Sequence, residues 1–297
     1  MATNIQQSEL VADILLKAVT SLEQVGVSQA RIDAELLLGY CLNKSRTALY
    51  LASADRIDEQ SLECFSKLLQ RRILREPVAY ITGEQEFWSH SFKVSPDVLI
   101  PRPETEFLIE TALSRTNQKL PFGKCLDLCC GSGIIAIILA LELNREVVAV
   151  DISAGALEIA RENGFRHGVL DSLSFIESDL ASELSVDSLF GLIVSNPPYV
   201  CSQDIDNNLE PEVALFEPRI ALDGGRTGFD LIIRILKALP SLLCPGGDFF
   251  MEIGSQQAAD VLDLFHSHKK SLLYDSVVIL EDYSGRDRVV HMRREGR

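Results

Sequence analysis

The chain has 297 residues, 46% of them hydrophobic, with 43 acidic side chains against 28 basic ones and a net charge of −15. That length accommodates one large domain and a smaller one, and no apolar stretch reaches the roughly 18 residues needed to cross a bilayer, so no membrane partner is expected. The acid excess disfavours an enzyme that must grip phosphate backbones and favours a protein or small-molecule substrate, although an acidic total leaves room for a local basic face.

The first seven residues hold no basic residue ahead of an apolar segment, and Glu9 and Asp13 argue against a transit peptide, so a cytoplasmic location is expected. Seven cysteines (Cys41, Cys64, Cys125, Cys129, Cys130, Cys201 and Cys244) form an odd set without paired spacing, which suits reduced thiols. Leu10, Val11, Ile14, Leu15, Ala18, Val19 and Leu22 recur at helical spacing over residues 8–25. A second helix is expected over residues 30–42. A third follows Asp58 as its cap, with Leu62, Phe65, Leu68, Leu69 and Ile73 on one face. Residues 1–83 therefore read as a small helical domain. Residues 84–100 turn aromatic and β-branched (Phe87, Trp88, Phe92, Val94, Val98), the pattern of a short hairpin linker.

From residue 101 to 297 the pattern is strand, turn, helix, repeated. Strands are expected at 124–129, 146–151, 173–178, 192–196, 248–253, 276–280 and 288–292. Alternation with helices makes this an α/β domain with a doubly wound, mostly parallel, seven-stranded Rossmann-like sheet. Ligands of such sheets sit beyond the carboxyl ends of the strands.

The motifs fall there. Asp127-Leu-Cys129-Cys130-Gly131-Ser132-Gly133 ends the first of these strands and opens a helix, so that Gly131 and Gly133 let a ligand approach backbone N–H groups. Gly131-x-Gly133-x-x-Ala136, with Asp151 at the next strand end to bind ribose hydroxyls, also satisfies the dinucleotide fingerprint. Asp127 favours the other reading. A carboxylate beside the loop suits an amino group or sulfonium better than a pyrophosphate. Asp179 ends the third strand, where it either accepts from an adenine amine, with Leu180 on the ring, or serves as a helix cap or solvated acid.

Asn196-Pro197-Pro198-Tyr199 follows the apolar run 191–195. Two prolines stiffen the turn. With the Asn196 side-chain oxygen and the Pro197 carbonyl pointing into one site, both hydrogens of an amide or aromatic amine could be held, and Tyr199 would cover its flat face. Such a tetrapeptide, downstream of a glycine-rich turn, resembles the signature of S-adenosylmethionine-dependent methyltransferases of amide or exocyclic nitrogens. Residues 100–106, Ile-Pro-Arg-Pro-Glu-Thr-Glu, read by themselves as the first turn of a helix.

Beyond the tetrapeptide, the whole chain resembles the release-factor glutamine N5-methyltransferases, the HemK/PrmC family. The similar stretches are Asp33-Ala-Glu-Leu-Leu-Leu38, Arg46-Thr47, Glu76-Pro-Val-Ala-Tyr-Ile-Thr-Gly83, Glu86-Phe-Trp88 leading to Val94-Ser-Pro96, and Leu99 to Glu106. Phe216-Glu-Pro218 with Ala221-Leu222, and Asp287-Arg-Val289, complete the set. The resemblance implies S-adenosyl-L-methionine as cofactor, S-adenosyl-L-homocysteine as product, and transfer to the glutamine of the Gly-Gly-Gln loop of class 1 peptide-chain release factors. It also implies a monomer without direct nucleic-acid contact. In that family's terms Asp151 binds the ribose and the loop from Cys129 to Gly133 the methionine end. Asp179 and Leu180 frame the adenine, Asn196 to Tyr199 hold the target glutamine, and residues 101–106 lie over the cofactor. Two departures stand out: Cys129 where the family usually has glycine, and Arg75, expected on the surface, where it has another.

The rival readings are a nucleic-acid adenine N6-methyltransferase and a noncatalytic cofactor-binding or ribosome-assembly factor. No zinc or other metal site is expected, since His266-x-His268 lies in a helix where i and i+2 diverge and Cys129-Cys130 has no second ligand pair. The tail, residues 293–297, is expected to be frayed.

Overall fold

The structure is a computed structural model that describes residues 9–116, 123–184 and 189–296. Two compact units emerge: one holds the chain up to Gly83 together with Pro211–Phe216, the other the rest.

In the first unit, α1 (Val11–Gln24) buries Val11, Ile14, Ala18 and Leu22, the stripe its helical period requires. α2 (Ala30–Leu42) ends on Asn43 in a left-handed conformation. Next comes α3 (Arg46–Leu51), capped by Ser45, whose hydroxyl accepts from the Ala48 N–H at 3.1 Å. α4 (Glu59–Ile73) starts on Asp58, which accepts from the Ser61 N–H at 2.9 Å, as its position ahead of the apolar face suggests. α5 (Val78–Thr82) closes on Gly83. Under this layer lies a charged cluster. Arg72 donates to Asp33 at 2.7 Å and to Glu212 at 2.7 Å, and Arg75 reaches Glu212 at 2.5 Å. Arg75 is therefore not the surface residue the sequence suggested: it also donates to the Val25 and Gly26 carbonyls at 2.9 and 3.0 Å.

The second unit opens with the hairpin β1 (Glu84–Phe87) and β2 (His90–Lys93). Its two turn residues, Trp88 and Ser89, both have positive φ, the geometry that matches strand twist in a two-residue connection. Trp88 is held there by its N–H to Glu106 at 2.7 Å, while Phe87 and Phe92 enter the core. α6 (Pro103–Thr116) begins on the proline expected to open a helix.

The sheet strands are β3 (Lys124–Leu128), β4 (Val147–Asp151), β5 (Leu173–Glu177), β6 (Phe190–Ser195), β7 (Leu243–Glu252), β8 (Tyr274–Glu281) and β9 (Asp287–Arg294). Their order is β5-β4-β3-β6-β7-β9-β8, with β7–β9 and β9–β8 antiparallel and the others parallel. α7 (Ile134–Leu143) and α8 (Ala154–Arg166) form the crossovers from β3 to β4 and from β4 to β5. The short α9 (Ser202–Asn207) and α10 (Pro211–Phe216) follow β6, with α11 (Asp230–Leu242) ahead of β7 and α12 (Ala258–Ser267) and α13 (Lys269–Leu272) ahead of β8. The chain moves outward from β3 in one direction, then returns to start β6 on its other side. That reversal opens a crevice at the carboxyl ends of β3 and β6.

All seven sheet strands lie where the alternating pattern places them. β7 begins five residues earlier than expected, because Pro245 and Gly246 read as loop punctuation yet sit inside the paired segment. The tail corrects a second expectation. Arg293 and Arg294 belong to β9, and Arg293 donates to buried Asp248 at 2.8 Å, so sheet pairing rather than solvent holds them. No helix among the described residues is long and apolar enough to cross a membrane.

Candidate cofactor and amide-binding site

A cavity of about 640 Å³ occupies the crevice, a volume suited to a nucleoside joined to an amino acid. Of the residues singled out by sequence, it brings together Cys129, Cys130, Gly131, Ser132, Asp151, Asp179, Leu180, Asn196 and Pro198. Pro101, Arg102 and Thr105 border it too. Pro103 opens α6 as its residue type suggests, and the neighbouring Pro101, Arg102 and Thr105 form part of the cavity wall.

The loop after β3 is built for close approach. Cys130 N–H bonds to the Val150 carbonyl at 2.9 Å, and Gly131 has φ +52° with open space where a side chain would stand. At Gly133, φ +80°, a methyl group would meet Ala160 Cβ at 2.8 Å, so this glycine serves helix packing and does not border the cavity. Asp151 accepts from Gly131 N–H at 2.8 Å and from Ser153 N–H at 2.9 Å. Each carboxylate oxygen keeps a further lone pair, enough for a vicinal diol. Burial raises its pKa and these N–H bonds oppose the rise.

Asp127 behaves differently from its sequence reading. It is fully buried, does not border the cavity, and reaches under the loop to accept from the Ala136 N–H at 3.0 Å. Because α7 starts on a glycine that offers no side-chain oxygen, Asp127 supplies a capping carboxyl oxygen from the preceding strand. Its second oxygen has no partner among the described residues, and burial pushes its pKa up to about 8.

Asp179 sits in a turn, not at a helix start, and pairs with Arg234 at 2.7 Å, while Leu180 is buried beside it. Cys129 carries its side chain at φ +65°, and burial together with nearby carboxylates raises its thiol pKa. It is an apolar wall there, not a thiolate.

The Asn-Pro-Pro-Tyr turn leaves β6 just after Ser195, whose hydroxyl donates to the Leu128 carbonyl at 2.8 Å and locks the two strand ends together. Asn196 Nδ2 donates to Thr105 Oγ1 at 3.1 Å. Among the described residues no protein donor claims Asn196 Oδ1 or the Pro197 carbonyl. Pro197 is buried and, like Tyr199, is not among the cavity-lining residues. The Tyr199 hydroxyl donates to Glu252 at 3.0 Å, and its ring packs on the apolar cluster beneath the sheet. A methyl group on Gly224 would come within 2.8 Å of Tyr199 Cα, so the turn rests on a backbone that only glycine allows.

Several residues escaped sequence reasoning. Glu252, at the end of β7, is buried and receives Thr105 Oγ1 at 2.8 Å. Glu217 anchors the wall by pairing with Arg102 and accepting from Ile100 N–H at 3.2 Å. Asn163, fully buried, ties the hairpin to the glycine loop by bonds to Lys93 N–H at 2.7 Å and the Ser132 carbonyl at 2.9 Å. A carboxylate inside an otherwise apolar strand was the one visible signal, and only for Glu252. His268, by contrast, caps α12 and contacts the Leu264 carbonyl at 2.9 Å.

Comparison with known proteins places the chain in a family. Residues 4–83 match the PrmC N-terminal domain and residues 103–225 the methyltransferase small domain. The chain is 38% identical to the release factor glutamine methyltransferase of Nitratidesulfovibrio vulgaris over 282 residues, covering 95% of this chain and 94% of that one. It is 40% identical to that of Geobacter sulfurreducens over 270 residues, 91% of each. In fold it is similar to a methyltransferase from Pyrococcus furiosus, with a TM-score of 0.51 at 18% identity over 76% of this chain and 98% of that one. Fold, site and relatives converge: the chain belongs to the release factor glutamine methyltransferase family.

Proposed function

We propose that this chain transfers the methyl group of S-adenosyl-L-methionine to the side-chain amide nitrogen, N5, of the glutamine in the Gly-Gly-Gln loop of class 1 peptide-chain release factors, with S-adenosyl-L-homocysteine as product. The carrying observation is that Asn196, its Nδ2 engaged by Thr105, borders the same cavity as Gly131 and Asp151. The cofactor supplies an electrophilic methyl on a sulfonium. Gly131 and Ser132 offer backbone to its methionine end, Asp151 accepts from the ribose hydroxyls, and Leu180 gives the adenine an apolar face with Asp179 at its edge. Asp127 serves the loop from behind.

A carboxamide nitrogen is a weak nucleophile because its lone pair is shared with the carbonyl. Alignment is therefore the main task. Asn196 Oδ1 and the Pro197 carbonyl accept the two N–H bonds of the glutamine, aim its nitrogen, and meet the positive charge that grows there. Near-attack positioning contributes roughly 7–11 kcal/mol. Pro198 stiffens the turn and Tyr199 shields the amide from solvent. The proton leaves to water after transfer, so no histidine base is needed. The helical unit recognises the release factor, and the enzyme acts as a cytoplasmic monomer without binding nucleic acid.

The test is incubation with methyl-labelled cofactor and either purified release factor or DNA and RNA, followed by peptide mass mapping. We expect label on one glutamine of the release factor; label in nucleic acid, or cofactor binding without any turnover, would contradict the proposal.

A further inference from the structure

We propose that Thr105 and Glu252 are positioning residues for methyl transfer: through a one-way chain of hydrogen bonds they turn the Asn196 oxygen, and not its NH2, toward the cavity. This rests on the reading of Asn196 as an amide acceptor.

The reasoning starts at the buried end. Glu252 is 1% exposed and Thr105 2% exposed. Both carboxyl oxygens of Glu252 accept from hydroxyls. Thr105 gives its single hydroxyl proton to Glu252 Oε2 at 2.8 Å, and Tyr199 gives its own to Oε1 at 3.0 Å. With its proton committed, Thr105 Oγ1 offers the Asn196 amide nothing but lone pairs. The NH2 side fits, at 3.1 Å. Rotating the amide by half a turn would set two oxygens against each other with no proton between them, a buried mismatch costing more than the bond itself contributes. Asn196 Oδ1 is thereby committed to the opposite side, where a substrate N–H needs an acceptor.

Four side chains, Thr105, Tyr199, Arg288 and Glu104, act on the Glu252 carboxyl. Burial raises its pKa and Glu104 on α6 adds to the rise; Arg288 on β9 and the two hydroxyl donors counter it. Arg288 is itself steadied by Asp282 at 3.5 Å and by the Ile253 carbonyl at 3.4 Å. Glu252 does not border the cavity, so its service is indirect, and the same carboxyl group that orients Asn196 also holds the Tyr199 hydroxyl.

Three variants test this: Thr105→Val, which keeps the shape but loses the hydroxyl, Thr105→Ser, which restores it, and Glu252→Gln, which breaks the donor order. Each is compared with Asn196→Ala for kcat and KM on release factor and for cofactor Kd by calorimetry. We expect Thr105→Val and Glu252→Gln to lower kcat by about 10- to 100-fold, the scale of a small misplacement of a reacting group, with cofactor Kd within about threefold of wild type and Thr105→Ser recovering most of the loss. If Thr105→Val does not fold, the Glu252→Gln result decides. Wild-type kcat in the valine or glutamine variant while Asn196→Ala is inactive overturns the relay and leaves the amide clamp standing. Serine no better than valine overturns it too. Full activity of Asn196→Ala would instead sink the clamp from which the relay was inferred.

Discussion

A polar network is buried in each unit of the molecule, and these two are wired differently. In the helical unit, Asp33, Arg72, Glu212 and Arg75 alternate in sign, with carboxylate-to-guanidinium distances of 2.5–2.7 Å. In the sheet unit, Glu252 is met by neutral hydroxyls from Thr105 and Tyr199, with Asn196 one bond further on. A charge answered by charge is a fastening: it holds Glu212, and with it Pro211–Phe216, against α4. A carboxyl answered by hydroxyls becomes a set of directed hydrogen bonds. Only the second kind can tell an amide which way to face.

The largest effect should come from breaking the fastening. Arg72→Ala leaves Asp33 buried without its cation and removes one partner of Glu212, and such half-broken buried pairs cost about 3–5 kcal/mol. Denaturant unfolding should show that loss; a change below about 1 kcal/mol would mean the network is ornamental.

Asp127 offers a pH-dependent comparison. Its folded pKa of about 8 lies far above the unfolded carboxyl, so between pH 5 and pH 8 the folded protein holds a proton that the unfolded chain has lost. Folding then takes up a proton, and stability falls as pH rises through that window. Asp127→Asn removes the titration while keeping an oxygen for the Ala136 N–H. We expect its stability relative to wild type to improve with pH, by up to about 4 kcal/mol across three pH units at roughly 1.4 kcal/mol per unit. A difference that stays flat with pH would show that the carboxyl titrates normally.

A smaller contrast uses two non-glycine residues held in a left-handed backbone conformation. Arg75 and Cys129 both have positive φ, +72° and +65°, so the backbone keeps the glycine conformation while a side chain strains it. Arg75 offsets that strain through Glu212 and two carbonyls. Cys129 is held by apolar packing and the Ser195 hydroxyl, with no ion pair among the described residues. Arg75→Gly should therefore destabilise by about 1–2 kcal/mol despite relieving the backbone, whereas Cys129→Gly should stabilise by about 0.5–1 kcal/mol, the relief exceeding the added freedom of the unfolded chain. Melting temperatures moving in the same direction would refute the distinction.

These positions also mark what the sequence could disclose. Periodicity located the long helices of the first unit, and the strand-turn-helix pattern located every sheet strand, but the crossover helices of the second unit, such as α8 and α11, were expected only as a class. Helices of five or six residues, such as α3 and α5, are too short to complete a period. The Asn-Pro-Pro-Tyr turn was legible because its stiffness is local. Its support was not: Thr105 and Glu252 are 147 residues apart and meet only because α6 packs beside β7. Asp127 misled for a related reason, as charge next to a glycine loop suggested a ligand while the fold turned it toward an uncapped helix. At Arg75 the letter suggested surface, and the partner that draws it inward, Glu212, lies 137 residues away.

The central claim, that an oxygen of Asn196 holds the substrate amide, is tested most directly by Asn196→Ala in a single-turnover assay with release factor, read beside cofactor Kd. We expect transfer to slow by about 100-fold or more, the loss typical of deleting one preorganised partner of a transition-state charge, with cofactor Kd within about threefold. Transfer at the wild-type rate would contradict it.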